Sequence, residues 1–267
     1  MSYLAKESDW AKLADYIGRF HMGAYTGPIG LDSEFEGVDF SSGDSCVNKA
    51  DITVWSIGIL TSELHPRGYN KAKGCVLPRE ALNYAPLRRL LESDRIKVAH
   101  NSNVDVHAFY NAGVDVQGIV NTLSLARWML PGRLTYNLDD LGLDLLGHGK
   151  TESFNDIFRY PNMVTLERKT VTKHCACGVE GCRLRKDRFG PDGELVSHQK
   201  FQVESVEQYE KQQGWNKISQ YEIIEKGPSH PLWDRYIAYA QRDAVVAVEL
   251  YDYLLRMNKQ TETPWYK

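Results

Sequence analysis

Apolar and polar residues alternate along this chain in two distinct periods. From Ser8, a residue able to cap a helix, Trp10, Leu13, Tyr16, Ile17 and Phe20 recur at helical spacing and predict a first amphipathic helix. Gly27 to Phe35 (GPIGLDSEF) reads as a strand, and Ile52 to Leu60 (ITVWSIGIL) as a second one rich in β-branched residues. Gly74 to Leu77 reads as a third. Pro78, favoured at the first helical position, opens a predicted helix to Ser93. Ile96 to Ala99 is a short buried strand, Val104 to Asn111 a helix, and a short strand lies near Ile119. Helices follow at Leu123–Leu130 and Leu138–Leu146, and a last long one runs from about Ala238 to Leu255. Strands first, then strand and helix in alternation, predict an α/β fold: one mixed sheet flanked by helices. No internal repeat is visible.

One segment, 159–231, breaks this scheme and reads as an insertion within a single domain spanning 1–267. It holds turn signals, charges and aromatics but little sustained apolar periodicity. Inside it, Cys175, Cys177 and Cys182 fall in a short glycine-containing run, with His198 after the hairpin signal Asp192-Gly193. C-x-C-x4-C with a nearby histidine is a zinc-knuckle-like pattern, although not one of the standard C-x2-C pairs. His174 and His198 compete as fourth ligand: His198 lets a hairpin close over the metal, whereas His174 adjoins Cys175. Reduced cysteines in a loop are the alternative. Cys46 and Cys75 lie elsewhere and are expected to pack. Arg183, Arg185 and Lys186 beside the knuckle, with Tyr209, Trp215 and Tyr221 downstream, suit a strand of nucleic acid, because cations track phosphates and aromatics stack bases. A solvated charged face explains the same run equally well.

Asp32 and Glu34 carry the sharpest chemistry. On a strand, positions i and i+2 share a face, so both carboxylates reach one point. Two carboxylates aimed at one point repel unless a cation sits between them. By itself such a pair fits a polar strand end. Downstream, His100-Asn101-Ser102-Asn103-Val104-Asp105 places Asp105 in the first turn of a helix, where a dipole-favoured acid is the bland reading. Tyr239 and Asp243 are i, i+4 on the last helix and share a face. A phenol beside a carboxylate can orient water; a packed aromatic and a solvated acid are the alternatives.

In that order, D-x-E, H-N-x-x-x-D and Y-x-x-x-D resemble the DnaQ-like 3'-5' exonuclease superfamily. The resemblance is to the DEDDy branch, which holds the proofreading domains of family A DNA polymerases and the ribonuclease D enzymes. Asn121 to Arg127, and Leu138 to Gly147, resemble the helices that follow the second motif. Val104 stands where the family has an aromatic, and the gap from Asp105 to Asp243 exceeds the family's, which implies the insertion. The resemblance implies a ribonuclease H-like fold and release of nucleoside 5'-monophosphates from a free 3' end. An all-carboxylate set suits hard cations, two Mg²⁺ or Mn²⁺, for a two-metal hydrolysis. On that pattern Asp32 bridges both ions, Glu34 and Asp243 hold the ion that activates water, Asp105 serves the other, and Tyr239 orients the water. Asn101 and the basic residues of the insertion are the candidate nucleic-acid contacts.

Composition changes this picture little. The 267 residues are 42% hydrophobic and 25% charged, ordinary for a globular enzyme. The charge of −3 gives no global attraction to nucleic acid, so phosphate binding must be local. Neither a membrane span nor a signal-peptide core is present, and a cytoplasmic location is expected. Single-stranded DNA is the expected substrate, and a DNA polymerase or replication protein the expected partner, because ribonuclease D enzymes often continue into helical RNA-binding domains and this sequence stops soon after the third motif. The alternatives are RNA 3'-end trimming of the ribonuclease D type, and a catalytically inactive adaptor that binds nucleic acid or protein through the knuckle.

Overall fold

A computed structural model describes residues 3–18, 27–37, 49–149, 157–175, 188–189, 195–196 and 201–260. The chain divides into two compact units, Met1–Phe158 with Ile218–Lys267, and Arg159–Lys217.

The first unit is built on a five-stranded sheet. Its strands are β1 (Ile29–Glu36), β2 (Asp51–Leu64), β3 (Asn70–Pro78), β4 (Lys97–Ala99) and β5 (Ile119–Asn121), in the order β3-β2-β1-β4-β5. β1 runs antiparallel to β2 and parallel to β4, and β5 is parallel to β4. This mixed sheet, flanked by helices, is a ribonuclease H-like α/β fold. Helices α1 (Glu7–Gly18), α2 (Ala85–Leu91) and α3 (Asn103–Asn111) belong to this unit, as do α4 (Thr122–Met129) and α5 (Leu138–Leu141). Helix α5 continues into a π turn at Gly142–Leu146; α6 (Gln220–Lys226) and the 28-residue α7 (Trp233–Gln260) close the unit.

Alternation along β1 sorts its side chains between two cores. Ile29 and Leu31 join Trp55, Ile57, Ile17 and Phe109 on one side. Gly30, Asp32 and Glu34 occupy the intervening positions. The register shifts between Glu34 and Phe35, so Thr53 is an extra residue opposite them. Its hydroxyl donates to the Glu34 carbonyl at 3.0 Å.

Glycines decide how close α7 comes. Gly30 pairs with Gly58, and Gly58 with Gly74, so three strands lack side chains in one row. A Cβ on Gly30 would lie 1.9 Å from the Ala244 carbonyl oxygen of α7, and one on Gly58 2.5 Å from it. The helix therefore rests on bare sheet backbone at the residue following Asp243.

Several sequence expectations need correction. The helix expected from Pro78 to Ser93 is broken into a 3₁₀ turn (Arg79–Asn83) and α2, with Tyr84 extended between them. Pro86 explains the break, since its ring cannot follow a helical turn through residue 82. Tyr16 is half exposed rather than part of the apolar face of α1. Strand β4 begins at Lys97, and Ile96 is exposed. Lys97 is fully buried instead; its ammonium donates to the Leu90 and Ser93 carbonyls at the end of α2, and burial lowers its pKa to about 8. The last helix starts at Trp233, five residues earlier than expected.

The second unit also departs from expectation. Strands β6 (Arg159–Cys175) and β9 (Phe201–Lys217) form an antiparallel ribbon from the Arg159↔Lys217 pair to Cys175↔Phe201. Short strands β7 (Arg188–Phe189) and β8 (Leu195–Val196) pair with each other. The β-branched run Thr170-Val171-Thr172 carries the strand signal that a search for apolar periodicity misses. This unit ends at Lys217, ahead of the boundary at 231 read from the sequence, because Ile223 of α6 and Trp233 are buried in the core of the first unit.

Gly30→Ala is expected to lower the thermal stability of the protein by about 1–3 kcal/mol or more, because its Cβ meets backbone that cannot yield. Gly74→Ala, whose Cβ meets the side chains of Gln241 and Val245, should cost less. Thermal melts of both variants check this; a Gly30→Ala melt equal to wild type contradicts the close approach.

Candidate active site

Three segments remote in sequence meet at the ends of β1 and β4. Asp32 and Glu34 project from β1, Asp105 from the first turn of α3, and Tyr239 and Asp243 from α7. A cavity of about 390 Å³ is lined by Asp32, Asp243, His100, Asn101, Arg127 and Asp139, among others. The i, i+2 and i, i+4 spacings thus deliver Asp32 and Asp243 to one space.

Burial makes this charge expensive. Glu34 is 8% exposed and Asp105 6%. Ser33 supports Asp105: its amide donates to Asp105 Oδ1 at 3.0 Å and its hydroxyl to the same oxygen at 2.7 Å. Burial nevertheless pushes the Asp105 carboxyl up to about 7; the Ser33 hydrogen bonds oppose the rise and the Asp243 charge adds to it. Tyr239 feels burial first, then the charges of Glu34, Asp243 and Asp32, all of which hold its phenol far above the ordinary range. It remains a neutral phenol at any physiological pH.

Turn chemistry builds the floor. Asn101 has φ 57°, a left-handed backbone that asparagine tolerates. Its amide donates to Asn121 Oδ1 at 3.1 Å, and the same oxygen caps α4 by accepting from Leu123 N at 3.0 Å. His100 is strapped between the Thr122 hydroxyl (Nδ1, 2.9 Å) and the Tyr136 carbonyl, to which Nε2 donates at 2.9 Å. Arg127 places its guanidinium 5.9 Å from the centre of the Tyr136 ring. Sequence reasoning did not single out Arg127 or Asp139 as site residues; the spacing of the helices after the second motif held the signal.

A second polar chain fixes α7. Arg242 donates to the Gly149 carbonyl at 3.1 Å and to His148 Nδ1 at 2.7 Å. A guanidinium only donates, so Nδ1 accepts and Nε2 carries its proton toward Glu249 at 2.9 Å. Glu249, itself buried, accepts from the Ala72 amide of β3 at 2.7 Å. The helix bearing Asp243 is thereby tied to the sheet edge and to the loop after the π turn.

A family model named for the exonuclease of DNA polymerase A, and described as 3'-5' exonuclease, matches residues 9–160, more than half of the chain. The chain belongs to this 3'-5' exonuclease family. The match includes Asp32, Glu34 and Asp105 and ends where the ribbon unit begins. Tyr239 and Asp243 lie beyond it; the fold returns Asp243 to the cavity wall beside Asp32, and Tyr239 to the electrostatic field of Glu34, Asp243 and Asp32.

No curated protein matches the chain. Among solved structures, it is similar to Pol1 from M. smegmatis, in a complex of its POL domain with DNA primer-template and dNTP: TM-score 0.39, 18% identity, over 56% of this chain and 23% of that one. It is similar to a nuclease in apo form, with TM-score 0.39 and 15% identity over 57% of this chain and 63% of that one. A third is the EXD2 exonuclease domain soaked in Mn and GMP, with TM-score 0.33 and 12% identity over 58% and 76% of the respective chains. The chain thus spans about a quarter of the first and under two thirds of the second.

As the side chains stand, no group of three His, Cys, Asp or Glu residues among the described residues is in position to hold a metal ion. The donor chemistry still fits one. Carboxylates in mutual repulsion, two of them (Glu34 and Asp105) buried, offer only oxygen, as hard divalent cations require. The zinc candidates are a different matter: Cys177, Cys182 and His198, with Arg183, Arg185 and Lys186, lie outside the described residues, and Cys175 ends β6 opposite Phe201. Cys46 also lies outside them. Cys75 is buried, its thiol pushed up to about 12 by that burial.

Asp105 gives a signed pH prediction. Its folded pKa lies above its unfolded one, so the folded state binds the extra proton between about pH 4 and 7. In EDTA, stability should therefore fall as pH rises through that window. Asp105→Asn should flatten the slope. Melting temperatures of both proteins from pH 4 to 8 check it, and parallel slopes contradict it.

Proposed function

We propose that this chain hydrolyses phosphodiesters from a free 3' end, using Asp32, Glu34, Asp105 and Asp243 to hold two Mg²⁺ or Mn²⁺ and Tyr239 to orient water. The observation that carries this reading is the convergence of carboxylates from three separate segments around a phenol that stays neutral. Bound metal ions would supply Lewis-acid stabilisation of the attacking and leaving oxygens.

The chain's own residues do the remaining work. Tyr239 keeps its proton, so it is a hydrogen-bond partner for water rather than an anionic ligand. Hydrolysis forms a bond from water oxygen to phosphorus and breaks the bond to the 3' oxygen of the preceding nucleotide, which releases a nucleoside 5'-monophosphate. Arg127 and Asn101 border the cavity as polar contacts for the terminal nucleotide. The ordered His100–Thr122 strap keeps that wall fixed. Single-stranded DNA is the first substrate to try, because the matching family is named for a DNA polymerase's exonuclease. Action as a separate proofreading chain beside a polymerase belongs to the same proposal. A structural zinc on Cys175, Cys177, Cys182 and His198 is a further part of it, supported by the clustering of thiols in the sequence.

With 5'-labelled single-stranded DNA, duplex DNA and RNA, stepwise shortening from the 3' end is expected in Mg²⁺ or Mn²⁺ and none in EDTA. Asp243→Asn should reduce the rate by a thousandfold or more, on the order of 4 kcal/mol of transition-state stabilisation, while the protein still folds. Near-wild-type cleavage by that variant contradicts the assignment. Cleavage of RNA alone would favour the trimming reading.

Elemental analysis of protein purified without added metal should find one zinc per chain, lost in Cys177→Ser. No zinc, with these thiols freely titratable in the native protein, removes that part of the proposal.

A further inference from the structure

The chain leaves the first unit at Phe158 and re-enters at Ile218, and the two residues are joined: the Ile218 amide donates to the Phe158 carbonyl at 2.9 Å. Phe158 is fully buried. Its ring meets Tyr239 edge-on, with centroids 6.3 Å apart and planes at 86°. On its other contact it meets Tyr236 at 5.5 Å and 78°. Tyr236 cannot give way. It is fully buried, and its hydroxyl is shared with Thr53 at 3.0 Å and donates to Gln220 Oε1 at 3.1 Å. Gln220 is fixed in turn, because its amide and the Ser219 hydroxyl donate to the Glu36 carboxylate. A clamped ring, a wedged ring and the site tyrosine therefore stand in series. The wedge is held at its backbone by the joint from which the ribbon unit departs.

We propose that Phe158 is a positioning residue for Tyr239: its ring edge fixes the tilt of the Tyr239 ring and so the place of the phenol oxygen among Glu34, Asp32 and Asp243. The inference rests on the reading that Tyr239 orients the attacking water. An edge-to-face pair restricts tilt in a way that an aliphatic contact of similar volume does not. A displacement of about 1 Å in an orienting group is enough to cost up to a hundredfold in rate. Phe158 touches no reacting atom; it acts through Tyr239. Phe158 is the last residue of the first unit before the ribbon unit begins.

The test is a double-mutant cycle on the full chain, read as kcat and KM for single-stranded DNA at saturating Mg²⁺. Tyr239→Phe alone should lower kcat about a hundredfold. Phe158→Leu alone should lower kcat about tenfold or more and leave KM within about twofold. In the Tyr239→Phe background, Phe158→Leu should change kcat by less than about twofold, because the oxygen it places is gone. Phe158→Met is read in the same cycle should the leucine variant fail to fold. Ile157→Val, in the same core but without a ring contact to Tyr239, controls for lost packing and should have equal, small effects in both backgrounds. Equal losses from Phe158→Leu in both backgrounds, or no loss in either, overturn the positioning role and leave Tyr239's role standing. An unchanged kcat in Tyr239→Phe overturns the reading beneath it instead.

Discussion

The contact of α7 with bare sheet backbone at Gly30 and Gly58 is the constraint on which the site depends. The Ala244 carbonyl occupies the space that side chains on those strands would fill. Asp243 is the preceding residue and Tyr239 lies one turn earlier. A helix held farther off by even one methyl layer would carry both away from Asp32 and Glu34. The Arg242–His148–Glu249–Ala72 chain then fixes the helix along and about its axis. Close packing supplies the distance, and the hydrogen-bonded chain supplies the setting.

That geometry comes at an electrostatic cost. Carboxylates from β1, α3 and α7 are brought together, with Glu34 and Asp105 buried. Asp105 answers by binding its proton up to about pH 7, and Tyr239 by never releasing its own. Ser33 offsets part of the cost with two hydrogen bonds to one oxygen. A fold stabilised only for its own sake would not assemble such a cluster. The unfavourable charge is the reason to infer a function, and cations are the species that would relieve it.

Much of this could be read in the sequence because the motifs are local. Asp32 and Glu34 share a face by strand period, Tyr239 and Asp243 by helix period, and Asp105 falls in the first turn of α3, although Ser102 at its N-cap makes no side-chain capping hydrogen bond. Elements whose signal is local also appear where expected, such as β2 and α3. What could not be read depends on partners distant in sequence. The glycine row is three isolated residues until the strands are in register. Arg127 and Asp139 look like surface charges until α4 and α5 line the cavity. The ribbon strands lack alternation because their composition is mixed, and their β-branched residues were the only cue. Pro86 was legible as a breaker, but the favourable start at Pro78 masked it.

Anomalous diffraction from crystals soaked in Mn²⁺ tests the central claim most directly. Two peaks bounded by Asp32, Glu34, Asp105 and Asp243, with Asp105 drawn away from Ser33, are the predicted result. Ordered crystals with no anomalous density among these carboxylates at saturating Mn²⁺, or with peaks only elsewhere, would contradict it.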